Sequence, residues 1–200
     1  GVSIGSERIQ AMVGHPQPSN IKEVRSVLGA FNYVRRFIRN YSDIVSPLVT
    51  LTRREFAQAR TLSKAWTPVH TQAFTAIKHM LTTAPILRFP DLTKPFTVHT
   101  DASLVGMGGM LTQGSEDNLA IVAYFSKQFS NAQQRYSVTA KECYAVVLAL
   151  DHWRPYLFGR HFTVVTDHQA LRYLYSMSDT SSMLTWWSLM LQSFNFTVIH

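Results

Sequence analysis

One short apolar pattern occurs twice in the sequence, and each copy ends in Thr-Asp. Residues 94–101 read Lys-Pro-Phe-Thr-Val-His-Thr-Asp, and residues 160–167 read Arg-His-Phe-Thr-Val-Val-Thr-Asp. Alternating apolar and polar residues, rich in Val, Thr and Phe, are typical of a half-buried strand. The repeat therefore predicts two similar strands, with Asp101 and Asp167 at their ends. An Asp at a strand end can also simply start a turn, so each aspartate alone is ambiguous.

Further strands and helices follow the first copy in a regular order. A glycine-rich run ends near Leu111 and an apolar run spans residues 119–125. These short intervals predict an antiparallel meander of three strands. Helical periodicity predicts helices at about 138–153, 169–175 and 182–192. Three strands followed by alternating helices and strands predict an α/β fold, a mixed sheet flanked by helices.

The first ninety residues instead show helical spacing. Apolar residues recur from Ile21 to Ile38 at positions that fall on one face of a helix. Pro47 predicts the start of a loop-rich stretch that continues to Pro68. A second amphipathic segment follows, and the proline-containing residues 84–91 predict an extended linker. A domain boundary is therefore expected near residues 90–94.

The chain is basic, with 19 Lys and Arg residues against 12 Asp and Glu, a formal charge of +7. This excess favours a polyanionic partner such as nucleic acid, although many soluble proteins are equally basic. The first helix carries Arg35, Arg36 and Arg39 beside Tyr33 and Tyr41. That face is either a solvated helix surface or a surface that follows phosphates.

Other classes of protein are disfavoured by the composition. Cys143 is the only cysteine, so an intrachain disulfide is impossible, which fits a reducing compartment. No apolar run approaches the ~18 residues of a membrane span, and the N-terminus lacks the pattern of a secretory signal. The missing initiator Met and the apolar run up to His200 indicate a segment of a longer protein.

A third carboxylate completes a set that could bind metal. Glu142 lies in the predicted helix 138–153, on or beside the apolar stripe that contains Ala145 and Ala149. A carboxylate buried there would shift its pKa or bind a cation, whereas one at the stripe edge would reach water. If Glu142 meets both strand-end aspartates, the oxygen-only donors favour Mg²⁺ and metal-dependent phosphodiester hydrolysis.

Several motifs, in order, resemble the polyprotein of gypsy-type long-terminal-repeat retrotransposons, from the end of reverse transcriptase (RNA-directed DNA polymerase) into its RNase H. The matching motifs lie at residues 20–38, 84–91, 100–103, 124–127, 136–142 and 166–171. The resemblance implies the end of the palm and the thumb helices at 1–50, a connecting segment at 51–93 and an RNase H-like domain at 94–200. It implies an RNase H-like mixed sheet preceded by a small helical thumb and linker region.

The resemblance also implies an activity. Asp101, Glu142 and Asp167 would be the catalytic carboxylates that bind Mg²⁺, with Mn²⁺ as an alternative. The reaction would be endonucleolytic hydrolysis of the RNA strand of RNA/DNA hybrids. The family has a fourth Asp that would fall beyond His200, so the alternative is a non-catalytic hybrid-binding module. An integrase-like strand transferase is a weaker alternative.

Contacts and partners follow from the same resemblance. Arg35, Arg36, Ser103 and Tyr136 are the predicted nucleic-acid contacts. The expected partners are an RNA/DNA hybrid, an upstream polymerase palm and a downstream integrase, with no membrane. The polymerase aspartates would lie upstream of Gly1, so this chain alone is not expected to polymerise. The expected location is cytoplasmic, in retroelement particles or with access to the nucleus, and not secreted.

Overall fold

The structure is a computed structural model that describes residues 1–53, 61–166, 171 and 182–199. The helices are α1 (Ser6–Gly14), α2 (Ile21–Val34), α3 (Tyr41–Thr50), α4 (Pro68–Thr82), α5 (Val138–His152), α6 (Arg154–Leu157) and α7 (Ser182–Gln192). The strands are β1 (Phe96–Ala102), β2 (Gly106–Gln113), β3 (Ala120–Gln128), β4 (His161–Val165) and β5 (Asn195–Ile199). Within the described ranges, every helix is too short or too polar to cross a lipid bilayer.

The five strands form one mixed sheet in the order β3-β2-β1-β4-β5. The β1–β2 and β2–β3 pairs are antiparallel, which confirms the predicted meander. β4 runs parallel to β1, and β5 runs parallel to β4. Val98 is the register partner of Val164, so the two copies of the sequence repeat lie side by side and point the same way. Thr100 within β1 and Thr166 just after β4 therefore lie towards the same end of the sheet, and the predicted α/β fold is confirmed.

One face of the sheet is covered by α5 and α7. Ala145, Val146 and Ala149 on α5 are fully buried, as the apolar stripe predicts. They share a core with Val98 and Val164 from the two central strands. Because each fully buried Val side chain contributes about 1.5–3 kcal/mol, Val146, Val98 and Val164 fix the position of α5 against β1 and β4.

The helices of the first 82 residues, together called the helical unit, cover part of the other face. Their core includes Phe31 and Leu48, and it also takes in Tyr124 from β3. The described part of the predicted connecting segment 51–93 contributes Ile77 and Leu87 to the same core. The helical unit is thus packed directly on the sheet, while the domain boundaries stay a prediction.

The sequence predicts that a loop-rich stretch starts at Pro47. That start is wrong, because α3 continues through Pro47 to Thr50. Proline removes one backbone hydrogen bond in a helix interior. Here the flanking residues Val45 and Leu48 are buried in the helical unit, and their packing outweighs that loss. Local sequence pattern could not reveal this, since the compensating contacts come from α2 and α4.

Two hydrogen bonds connect the N-terminal part of the chain to the sheet, and two glycines of β2 leave room for that contact. Arg35 donates to the carbonyl oxygen of Ser126 on β3, and the backbone N–H of Arg88 donates to the carbonyl of Ile121 at 2.7 Å. A Cβ on Gly108 would lie 2.2 Å from Oδ1 of Asn40. A Cβ on Gly106 would lie within 3 Å of the Asp43 carboxylate and of a β3 carbonyl. The glycines of β2 therefore allow the start of α3 to approach the sheet closely.

Candidate active site

Two of the predicted carboxylates meet at the end of β1. Asp101 is exposed in the strand, and Glu142 is half-buried in α5. Oε1 of Glu142 accepts a hydrogen bond from the backbone N–H of Ala102 at 3.3 Å. Because Ala102 directly follows Asp101, this bond holds the Glu142 carboxylate beside the strand end. Ser137 caps the start of α5, since its side chain accepts from the Ala140 N–H at 3.2 Å, and Glu142 lies in the second turn of that helix.

Asp167, the third predicted carboxylate, lies outside the described residues. The residue before it, Thr166, is described and only 6% exposed. The last register partners of β1 and β4 are His99 and Val165. Beyond them, the N–H of Thr166 donates to the carbonyl of Ile199 on β5 at 3.2 Å, so this end of β4 is held by β5.

A cavity of about 370 Å³ opens at this strand end. Its walls are the ends of β1 and β4, the middle of β2, and Arg39 and Asn40 from the turn before α3. Asp101 lines it, together with Thr100 and Thr166. The Oγ1 atoms of both threonines are buried, and neither has a hydrogen-bond partner among the described residues. Buried hydroxyls are usually hydrogen-bonded, so these two are exceptions within the described part of the chain.

Charges around the cavity influence each other. Burial lowers the pKa of His99, and the positive charge of Arg39 lowers it further. Burial raises the pKa of Asp43, a hydrogen bond with Ser103 lowers it, and the negative charge of Asp101 raises it. The carboxylates of Asp43 and Asp101 are therefore close enough to repel each other. A bound cation would relieve such repulsion.

The oxygen donors fit a hard divalent cation better than a soft one. Asp101 and Glu142 supply carboxylates near the end of β1, and Asp101 lines the open cavity. In the part of the chain that the structure describes, no group of three His, Cys, Asp or Glu side chains could hold a metal ion. The third expected ligand, Asp167, is outside that part, so the predicted ligand set is described for two of its three members.

The two arginines predicted to contact nucleic acid differ in their surroundings. Arg35 is half-buried and donates to Ser126 on β3, with its guanidinium 5.8 Å from the ring centroid of Tyr41. Arg36 is exposed, and its guanidinium lies 5.2 Å from the Phe37 ring centroid. Arg35 therefore has a structural contact in the protein, while Arg36 is accessible. Both nucleic-acid contacts stay predictions.

Ser103 and Tyr136 are also engaged within the protein. Oγ of Ser103 accepts from the N–H of Gly106 at 3.0 Å and lies 3.1 Å from the Gly106 carbonyl, which closes the β1–β2 turn. The hydroxyl of Tyr136 donates to Sδ of Met183 at 3.0 Å, and its ring packs edge-on against Trp187. Their predicted roles as substrate contacts stay predictions.

Sequence reasoning missed several residues that line or adjoin the cavity. Asn40, His99 and Asp43 were not among the predicted site residues, and Arg39 was noticed only as part of the basic helix face. Asn40 adopts a left-handed conformation with φ of 51°, which Asn tolerates better than most residues. In the sequence, Asn40 is simply an asparagine that precedes a helix with Asp43 in its first turn. That pattern does not reveal a contact with a distant strand.

Comparison with known proteins gives matches along the whole chain. Residues 91–194 match the family described as the RNase H-like domain found in reverse transcriptase. The chain is 35% identical over 198 residues to a retrovirus-related Pol polyprotein from transposon 412 of Drosophila melanogaster, covering 99% of this chain and 16% of the relative. It is 38% identical over 197 residues to the transposon Tf2-3 polyprotein of Schizosaccharomyces pombe, covering 96% and 14%. The chain therefore spans about a sixth or less of these relatives.

Solved structures with the same fold come from a foamy virus. The foamy viral protease-reverse transcriptase dRH in complex with double-stranded DNA superposes with a TM-score of 0.79 and 25% identity, over 100% of this chain and 35% of that one. The foamy viral protease-reverse transcriptase in complex with an RNA/DNA hybrid gives a TM-score of 0.76 and 25% identity, over 98% and 26%. Both matches include the helical unit as well as the sheet.

Proposed function

The chain belongs to the family of RNase H-like domains found in reverse transcriptase, and from this premise we propose that it hydrolyses the RNA strand of RNA/DNA hybrids. The resemblance to gypsy-type retrotransposon polyproteins is confirmed by the relatives. One structural relative was solved in complex with an RNA/DNA hybrid, which supports this class of substrate. The proposed enzyme is a ribonuclease H, an endonuclease that needs Mg²⁺.

The observation that carries the proposal is the hydrogen bond from the Ala102 N–H to Glu142. It brings the Glu142 carboxylate to the end of β1, the strand that carries Asp101, and Asp101 lines an open cavity. Asp101 is exposed, so a substrate phosphate and water can reach it. The half-buried Glu142 is oriented by the backbone, so its carboxylate is held in place before substrate arrives.

Asp101, Glu142 and Asp167 would hold the metal. Mg²⁺ bound there would supply activation of water and stabilisation of the leaving oxygen. In the proposed reaction, the water oxygen bonds to phosphorus and the P–O3′ bond breaks, which leaves a 5′-phosphate and a 3′-hydroxyl end. Discrimination of RNA from DNA would depend on the 2′-hydroxyl of the cleaved strand.

The test is cleavage of an end-labelled RNA/DNA hybrid and of a DNA duplex of the same sequence, with Mg²⁺ or with EDTA. We expect Mg²⁺-dependent cleavage of the hybrid RNA only, lost in Asp101→Asn and in Glu142→Gln. Asp117→Asn is the matched control, because Asp117 is an exposed carboxylate in the turn between β2 and β3. Unchanged cleavage by Asp101→Asn would refute the proposal, and so would an inactive longer chain that continues past His200.

A second candidate is a module that grips the hybrid without cutting it. The basic chain and the exposed Arg36 favour it, because phosphate contacts dominate affinity for nucleic acid. Hybrid affinity should then fall steeply with salt, and Arg35→Gln with Arg36→Gln should flatten that slope. An affinity that barely responds to salt would count against this candidate. Binding without cleavage by the longer chain would favour it over the nuclease.

We further propose that the chain works as part of a polyprotein, between a polymerase palm and an integrase. Its location would be retroelement particles in the cytoplasm, with access to the nucleus. The support is the match to polyproteins that are several times longer than this chain. Fractionation of cells that express the element, with an antibody against this chain, would test the location; recovery from the secreted fraction alone would contradict it.

A further inference from the structure

We propose that Arg39 of the helical unit binds a backbone phosphate of the nucleic-acid strand held at Asp101. The nuclease site would then include residues of the sheet and of the helical unit. The sheet would supply the carboxylates, and the helical unit would supply a phosphate contact. This inference rests on the proposed function and deepens it. It concerns a residue outside the matched family segment, residues 91–194.

The first support is the position of Arg39. It lies in the turn between α2 and α3, is exposed, and lines the cavity that Asp101 also lines. Ion pairs among the described residues join Lys94 to Asp91 and Arg154 to Asp151, so Arg39 has no described carboxylate partner within 4 Å. Its positive charge therefore remains available to an anion that enters the cavity.

The second support is that the backbone around Arg39 is anchored. Its neighbour Ile38 is 1% exposed and Tyr41 is 3% exposed, both in the core of the helical unit. Asn40 takes a left-handed conformation and fits against Gly108, which has no Cβ to block it. A long side chain that starts from a fixed backbone loses less freedom when it binds a phosphate.

The third support is the chemistry of the remaining wall. Thr100 and Thr166 carry buried hydroxyls without a described partner, and Thr166 is more than nine-tenths buried. A guanidinium is a common donor to phosphate oxygens, and the exposed Arg39 supplies one, whereas the two threonine hydroxyls are covered within the wall. The strand end carries the Asp101 carboxylate, so a phosphate bound there gains from the nearby positive charge of Arg39. The cavity therefore fits a phosphodiester better than an apolar ligand.

The test compares Arg39→Gln with Lys64→Gln, which removes the same charge from an exposed residue that does not line the cavity. Binding of a fluorescent RNA/DNA hybrid is measured by anisotropy in EDTA at several salt concentrations. We expect Arg39→Gln to weaken binding by about tenfold and to reduce the log–log salt slope by about 0.9. Lys64→Gln should match the unchanged protein in both.

Cleavage assays separate this inference from the proposed function. In Mg²⁺, Arg39→Gln should raise KM while kcat stays near that of the unchanged protein, and Arg39→Lys should recover part of the loss. Equal affinity and salt slope for Arg39→Gln and Lys64→Gln would overturn the inference, even if Asp101→Asn abolishes cleavage. Cleavage that survives Asp101→Asn would instead overturn the proposed function. Circular dichroism of each variant excludes loss of fold as the cause.

Discussion

Replacing Gly108 by Ala should loosen the contact between the helical unit and the sheet. The new Cβ would lie 2.2 Å from Oδ1 and 3.3 Å from Cγ of Asn40, but 4.0 Å from its Cα. A normal contact needs about 3.2 Å or more, so the Asn40 side chain must move by about 1 Å while its backbone can stay. Because the colliding atoms are the far end of a side chain, the cost in the free energy of unfolding should lie at the low end of the overpacking range, about 1 kcal/mol.

The assay is urea denaturation followed by tryptophan fluorescence, with rescue by a second substitution. Asn40→Gly removes the colliding atoms and keeps a residue that accepts a positive φ. In the Asn40→Gly background, Gly108→Ala should therefore change the free energy of unfolding only slightly. Gly29→Ala is the control, because Gly29 lies within α2 and nothing would lie within 4 Å of its Cβ. It should raise stability by about 0.5–1 kcal/mol. Equal destabilisation by Gly108→Ala in both backgrounds would refute the reasoning.

Three further outcomes are expected from the helices. Oδ1 of Asn20 caps α2 by accepting from the Glu23 N–H at 2.9 Å, so Asn20→Ala should cost about 1 kcal/mol in urea denaturation. Nδ1 of His70 accepts from the Thr67 N–H at 3.0 Å at the start of α4, and burial lowers the pKa of His70. The unfolded chain then binds a proton on His70 more readily than the folded chain does. The contribution of His70 to the free energy of unfolding should therefore be complete above about pH 6.5 and be lost at lower pH. His70→Gln keeps an acceptor there, and a pH dependence unchanged by it would contradict this assignment. Cys143 is fully buried, and burial raises its pKa to about 12. A thiol reagent should modify it only as fast as the protein unfolds, and rapid labelling of the native protein would be inconsistent with the fold.

The sheet domain could be predicted from the sequence because its signals are local. Alternating apolar and polar residues indicate β1 and β4. The apolar stripe that contains Ala145 indicates the buried face of α5. The approach of Glu142 to the end of β1 could also be anticipated, because the apolar stripe of α5 indicates which side of that helix packs on the sheet. The third predicted carboxylate, Asp167, lies outside the described residues.

The contribution of the helical unit to the cavity could not be predicted, because it depends on contacts between distant segments. Asn40 meets Gly108, and Arg35 reaches Ser126, across stretches of chain that no periodicity links. Arg35 illustrates the difficulty, because a basic helix face predicts phosphate binding while the structure shows a hydrogen bond within the protein. Tyr136 is a similar case, since its hydroxyl is already bonded to Met183.

The hydrogen bonds that Arg35 and Arg88 make to β3 also affect solubility. β3 is the outermost strand on its side of the sheet, and unpaired edge strands can recruit strands from other molecules. Arg35 of the helical unit and Arg88 of the following segment occupy the carbonyls of Ser126 and Ile121 on that strand, and the helical unit covers the apolar ring of Tyr124. A nuclease trimmed to residues 94–200 would expose both and should self-associate. We therefore expect the helical unit to protect this side of the sheet from aggregation, whatever it contributes to binding.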